Sequence, residues 1–173
     1  MTWPMMWLRR LKPETRVAGS AEQGLESGFP DIQACALRLL ARREHGRREL
    51  YGKLTRKGLN PEAVDRVLDA LESAGSLSDE RYAQGFVRER LERGWGRDRI
   101  YAELMQRGIT ETLAEAALEE QSGREDWRER MEAVRRKKFG PDKPDDYEQQ
   151  ARQARFLQYR GFPMDQIRSL IFG

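Results

Sequence analysis

The sequence predicts an all-α protein made of three tandem three-helix units, helix-turn-helix-like and joined end to end. Three observations point there. The 173 residues are rich in Arg, Glu, Leu and Ala, all serviceable helix formers. Apolar residues recur at i, i+3, i+4 and i+7 between glycines, which is the spacing of one helical face. The pattern also repeats. "HGRRELYGKLTRKGLNPEAV" and "WGRDRIYAELMQRGITETLA" align without a gap, so that Gly46 and Gly96, Leu50 and Ile100, Leu54 and Leu104, and Gly58 and Gly108 are each 50 positions apart.

Residues 1–30 show little periodicity, and "GSAEQGLESGFPD" is turn-rich and polar, so a flexible N-terminal tail is expected. The first unit, 31–75, opens with Asp31 as the expected cap of a helix carrying Ile32, Cys35, Ala36, Leu39 and Leu40. Leu50 and Leu54 anchor a second helix that Gly58 ends in the left-handed conformation. Asn60 and Pro61 then start a third, striped by Val64, Val67, Leu68 and Leu71 and closed by Gly75. The second unit, 76–122, repeats this plan. Ser78 caps a helix with Tyr82, Phe86 and Val87, Gly94 ends it, and Ile100, Tyr101, Leu104 and Met105 form the next stripe. Thr110 caps the last, with Leu113, Ala114, Ala117 and Leu118. In the third unit, 123–173, Trp127, Met131 and Val134 mark a helix to Phe139. Leu157, Gly161 and Phe162 stand where Leu104, Gly108 and Ile109 stand, at an offset of 53. Pro163 takes the cap position without a side-chain oxygen, so the final helix should start less firmly.

Composition excludes several function classes. Cys35 is the only cysteine, so no intrachain disulfide forms and a reducing compartment is expected. No apolar run approaches the ~18 residues of a membrane span. "MTWPMMWLRRLKP" sets its basic pair after its apolar patch, the reverse of a secretory signal, so a cytoplasmic protein is expected. No Cys/His cluster has metal-ligand spacing and no Gly-rich loop follows a strand, so neither metal nor cofactor is expected. His45 is the only histidine, beside a glycine, and is read as a helix-end partner of carbonyls rather than a base. Cys35 and Tyr101 lie on apolar faces and read as core. The chain does not read as an enzyme.

What remains is binding. The net charge is +3, but it alternates: residues 32–75 hold 9 basic and 6 acidic residues, 76–122 hold 7 and 10, and 123–173 hold 12 and 9. Basic ends could meet a polyanion while the acidic middle meets something else; salt-bridged helix surfaces would give the same counts. The candidate contacts to a partner or nucleic acid are Arg43, Arg47, Arg48, Lys53, Arg56 and Lys57 in the first unit. Arg88, Arg93, Trp95 and Arg97 follow in the second, then Arg135, Arg136, Lys137, Lys138, Arg152 and Arg155 in the third. Arginine dominates, and its planar fork suits phosphates and carboxylates alike. For "RRKK", residues 135–138, compensation of a helix dipole is as good a reading as a phosphate contact. Trp95, between two glycines, could stack on a base.

The sequence resembles the bacterial RecX family, regulators of the recombinase RecA. The motifs that carry the resemblance are "ALRLLARREHGRRELYGKLTRKG", "LSDERYAQGFVRERLERGWGRDRIYAELMQRGI" and "RFLQYRGFPMDQI", within residues 32–173, the middle one being the most specific. Gly85, Trp95 and Pro163 depart from the usual pattern. The resemblance implies an elongated, curved molecule that lies in the groove of the RecA filament on single-stranded DNA. It implies inhibition of ATP hydrolysis and strand exchange, and so a role in recombination, DNA repair and the SOS response. Single-stranded DNA would be met directly or through the filament, and a monomer is the expected state. Separate units touching successive recombinase subunits would give multivalent binding. The rival reading is a nucleic-acid-binding helical repeat that acts without the recombinase.

Overall fold

The computed structural model describes residues 28–122 and 127–173, and the expected tail, residues 1–27 above all, lies outside them. Nine helices and no strand occupy the described residues: α1 Phe29–Leu40, α2 Arg47–Thr55, α3 Pro61–Ser73, α4 Asp79–Glu92, α5 Arg97–Gln106, α6 Glu111–Ser122, α7 Trp127–Phe139, α8 Tyr147–Arg160 and α9 Met164–Ile171. The principal helix packings stay within three consecutive triplets, and each triplet encloses its own apolar cluster. In unit 1 the cluster includes Ile32, Leu50, Leu54, Val67 and Leu71. Unit 2 contributes Phe86, Val87, Ile100, Leu104 and Leu118, and unit 3 Met131, Leu157, Phe162 and Ile167. Burying a side chain of this size contributes about 1.5–3 kcal/mol, so each triplet carries its own apolar driving force. Trp127 packs against the second and third clusters and bridges them.

Local punctuation follows the sequence closely. The side chains of Asn60, Ser78 and Thr110 accept hydrogen bonds from the amides of Ala63, Arg81 and Leu113, as capping residues do. Gly58, Gly108 and Gly161 take the same left-handed conformation, φ 82°, 80° and 84°, at the same position of each triplet. Pro163 precedes α9 with no side-chain cap. One expectation fails: Asp31 does not cap α1. The helix begins at Phe29 with Gly28 before it, because Pro30 has no amide to satisfy and its fixed φ suits the first turn. Asp31 sits inside that turn, where its charge meets the positive end of the helix dipole.

The middle helices of units 1 and 2 follow glycines, Gly46 and Gly96, and have no side-chain cap of their own. Each is capped by the next unit instead. Asp79 Oδ1, at the start of α4, accepts the Arg47 amide of α2 at 2.7 Å. At the other junction the amide of Gly96 donates to the Arg160 carbonyl at 2.7 Å and that of Asp98 to the Gly161 carbonyl at 3.1 Å. The negative end of α8 thus meets the positive end of α5. Asp79→Ala is expected to cost about 1 kcal/mol by urea unfolding, while Asp79→Asn, which keeps the acceptor, should cost less.

Candidate partner-binding surface

Beside a minor pocket of about 250 Å³ at Arg47, Arg48, Asp79 and Gly108, two clefts mark the unit junctions among the described residues. The larger, about 820 Å³, lies between units 1 and 2. The smaller, about 350 Å³, lies between units 2 and 3. Arg93 lines both.

In the larger cleft, Tyr82 and Phe86 are flanked by charge. The guanidinium groups of Arg90 and Arg107 stand over the Phe86 ring at 4.4 and 4.5 Å. Glu103 gathers three arginines: Arg90 at 2.9 Å, Arg99 at 3.3 Å and Arg107 at 3.7 Å. Burial alone would raise the Glu103 carboxyl, but these cations outweigh it and hold it below the usual carboxylate range. On the unit 1 side Arg43 makes a two-pronged contact to Glu49, at 2.5 and 3.1 Å, and Lys53 reaches the same carboxylate at 2.9 Å.

Behind that cluster lies His45, 2 % exposed. Its Nδ1 is 2.9 Å from the Arg43 carbonyl, which requires Nδ1 to donate. Nε2 is then the acceptor for the Lys53 ammonium at 2.8 Å. Burial lowers the His45 pKa below its ordinary 6.5. The unfolded chain therefore takes up the proton first, and stability should fall as pH drops through 6.5. Glu49 behaves differently. Burial would raise its carboxyl, but hydrogen bonds from Arg43 and Lys53 hold it down at about 2. Its contribution is complete above its ordinary 4.5 and is lost as pH falls from there through about 2. Urea midpoints at about pH 7.5 and about pH 5.5 should differ in the native chain and converge in His45→Gln, which removes the titrating ring.

The structure sorts the expected contact residues into two groups. Many are already committed. Arg47 bridges Asp65, Asp69 and Glu72 on α3 at 3.2, 2.8 and 2.6 Å and so ties α2 to α3. Arg97 pairs with Glu115, Arg93 with Glu89 at 2.6 Å and Arg136 with Glu132 at 2.6 Å. Lys57 donates to Cys35 Sγ at 3.2 Å. Arg48, although exposed, lies against Gly108 of unit 2. Arg135 is corrected outright: it is 2 % exposed and cannot meet a partner. Its guanidinium donates to the carbonyls of Pro141 and Asp142 at 3.0 and 2.9 Å and to Gln153 Oε1 at 3.4 Å. Trp95 is corrected too. It is half-buried at the junction, with Arg99 over its ring at 4.0 Å, Arg160 at 4.8 Å and Tyr159 at 6.1 Å, so its ring is already engaged within the chain.

The second group is available. Arg56, Arg88, Lys137, Lys138, Arg152 and Arg155 are exposed and make no ion pair among the described residues. Arg152 stands 5.9 Å from the Phe139 ring centre. Sequence reasoning passed over Arg107 and Glu103, although the four-residue steps from Arg99 to Glu103 and on to Arg107 are visible in the chain. Arg160 sits on Trp95 and Phe156, 4.8 and 5.2 Å away, a seat with no local signal in the sequence.

Three helical triplets in series, with a cation-lined cleft at each junction, define an all-α tandem-repeat protein. Among the described residues no helix is long and apolar enough to cross a membrane. Family models for the first, second and third three-helix domains of RecX match residues 34–71, 78–118 and 125–171. The chain is 47% identical over 142 residues to the regulatory protein RecX of Pseudomonas putida strain GB-1, covering 82% of this chain and 90% of that one. It is 48% identical over 138 residues to the regulatory protein RecX of Halorhodospira halophila, covering 80% and 84%. The crystal structure of RecX from Lactobacillus salivarius shares the fold at a TM-score of 0.70 and 20% identity, over 85% of this chain and 96% of that one. A second crystal structure, of a regulatory protein RecX, shares it at 0.73 and 18%, over 94% and 81%. The chain belongs to the RecX family, whose members among these relatives are named regulatory proteins.

Proposed function

We propose that this chain binds in the groove of the RecA filament on single-stranded DNA and inhibits its ATP hydrolysis and strand exchange. It would thereby restrain recombination, DNA repair and the SOS response in the cytoplasm, acting as a monomer. The observation that carries the reading is the recurrence of arginine-lined clefts at successive unit junctions, in a chain of this family. A helical filament presents the same subunit surface again and again, and a ligand with recurring contact points gains affinity from effective concentration rather than from one strong site. By preferring one filament state it biases the filament toward that state. Among the candidate contacts, Arg56, Arg88, Lys137, Lys138, Arg152 and Arg155, exposed and without an ion pair among the described residues, fit this role best.

The test is ATP hydrolysis by the cognate recombinase on single-stranded DNA, titrated with the full chain at near-physiological salt. Loss of hydrolysis at substoichiometric amounts supports the proposal. Residues 1–122, checked for helicity by circular dichroism, should inhibit much less than the full chain, and equal inhibition would remove the multivalent mechanism. Unaffected hydrolysis combined with tight, salt-sensitive binding to DNA alone would favour the direct nucleic-acid reading instead.

A further inference from the structure

The cleft between units 2 and 3 differs in kind from the larger one. In the larger cleft Arg43, Arg90 and Arg93 each hold a carboxylate. In the smaller, Lys137 and Lys138 on the last turn of α7 make no ion pair among the described residues. Arg160 faces them across the cleft, also without a carboxylate. Its guanidinium is fixed nonetheless, donating to the Arg93 carbonyl at 2.6 Å and resting on the Trp95 and Phe156 rings. Such a cation is ordered before any ligand arrives, which lowers the cost of binding. Among the described residues that line the cleft, Glu92 is the one acid, against Lys137, Lys138, Arg160 and Arg93. Leu91, Val134 and Phe156 supply an apolar lining between the charges.

We propose that this cleft binds a short acidic segment of a partner protein, with carboxylates on Lys137, Lys138 and Arg160 and one aliphatic side chain against Leu91 and Val134. Dipole compensation at the end of α7 explains a basic last turn. It does not explain a third, immobilised guanidinium facing that turn across an apolar lining. Charge complementarity calls for an anion, and the lining decides which kind. A nucleic-acid strand gains most from bases stacked on open aromatic faces. Among the described residues the one ring that lines this cleft, Phe156, already carries Arg160 at 5.2 Å and meets Phe139 edge-on at 5.2 Å. What remains exposed to a ligand is aliphatic and suits a leucine-like side chain. A volume of about 350 Å³ accommodates a few residues rather than a whole helix.

The test uses the full chain and no recombinase, so its outcome is independent of the filament reading. The probe is a fluorescein-labelled peptide of about ten residues, aspartates and glutamates around a central leucine, followed by anisotropy at low and moderate salt. Saturable, salt-weakened binding is expected, reduced about ten-fold by the double variant Lys137→Ala/Lys138→Ala and also by replacing the leucine with serine. Both lysines are exposed, so circular dichroism should show the variant folded. A thymidine oligonucleotide of equal charge should bind more weakly than the peptide. The proposal is overturned by no saturation up to about 1 mM peptide, or by binding that the double variant leaves unchanged. Tighter oligonucleotide binding lost in the same variant also overturns it and makes the cleft a nucleic-acid site.

Discussion

Gly96→Ala is expected to break the junction between units 2 and 3 and to destabilise the protein by about 3–5 kcal/mol. A methyl group at Gly96 would lie 2.3 Å from the Gly161 carbonyl oxygen and 2.6 Å from the Phe162 amide nitrogen. Both are backbone atoms and cannot swing aside, so the junction must open. Overpacking of this kind costs about 1–3 kcal/mol. The two amide bonds that cap α5 from unit 3, worth about 1 kcal/mol each, are lost with it. Thermal unfolding should show the loss, and amide exchange should show it concentrated at Asp98 and in α9. Gly52 is the contrast. It lies within α2 with nothing within 4 Å of an added methyl, and Gly52→Ala should stabilise by about 0.5–1 kcal/mol through helix propensity alone. If both variants melt alike, the close approach at Gly96 is not what holds the junction.

Arg135→Leu is expected to cost about 3 kcal/mol or more, although it replaces one cation in a run of four. The guanidinium is buried without a carboxylate and gathers two loop carbonyls and Gln153. Removing it leaves the buried Gln153 oxygen unpaired, at about 1–3 kcal/mol, and loses two charged hydrogen bonds to the carbonyls of the exposed Pro141 and Asp142, which water replaces in part. Leucine recovers part of this through apolar contact. Lys137→Leu, two positions on and exposed, should change stability by no more than about 0.5 kcal/mol. Urea unfolding of the two variants side by side checks the prediction.

That contrast shows where the sequence is readable. Helix starts at Asn60, Ser78 and Thr110 depend on residues within one turn of each other, so local chemistry settles them. The repeat is legible for the same reason, because Gly58, Gly108 and Gly161 each perform one local task. Asp31 misled because it competes with Pro30 for the same turn, and the proline's covalent constraint won. Arg135 carried a usable signal: it lies four residues after Met131, on the buried face of α7, whereas Lys137 does not. Arg47 and Trp95 carried none. The acidic stripe of Asp65, Asp69 and Glu72 that receives Arg47 is visible along α3, but only the packing of α2 on α3 says which arginine it meets. Arg99 lies four positions from Trp95, but the Arg160 contact on that ring joins residues more than 60 positions apart and exists only once the units are docked.

The capping of the middle helices of units 1 and 2 by the unit that follows gives the chain a direction. A ribosome releases unit 1 first, yet α2 lacks its Asp79 acceptor until α4 has begun to emerge, and α5 lacks its carbonyl partners until α8 is complete. Units 1 and 2 are therefore finished by their successors, and during synthesis the folded region trails the exit tunnel by roughly one unit. A break near the C-terminus would reverse the process, loosening α5 at once and unit 1 only later, so damage travels backwards along the molecule.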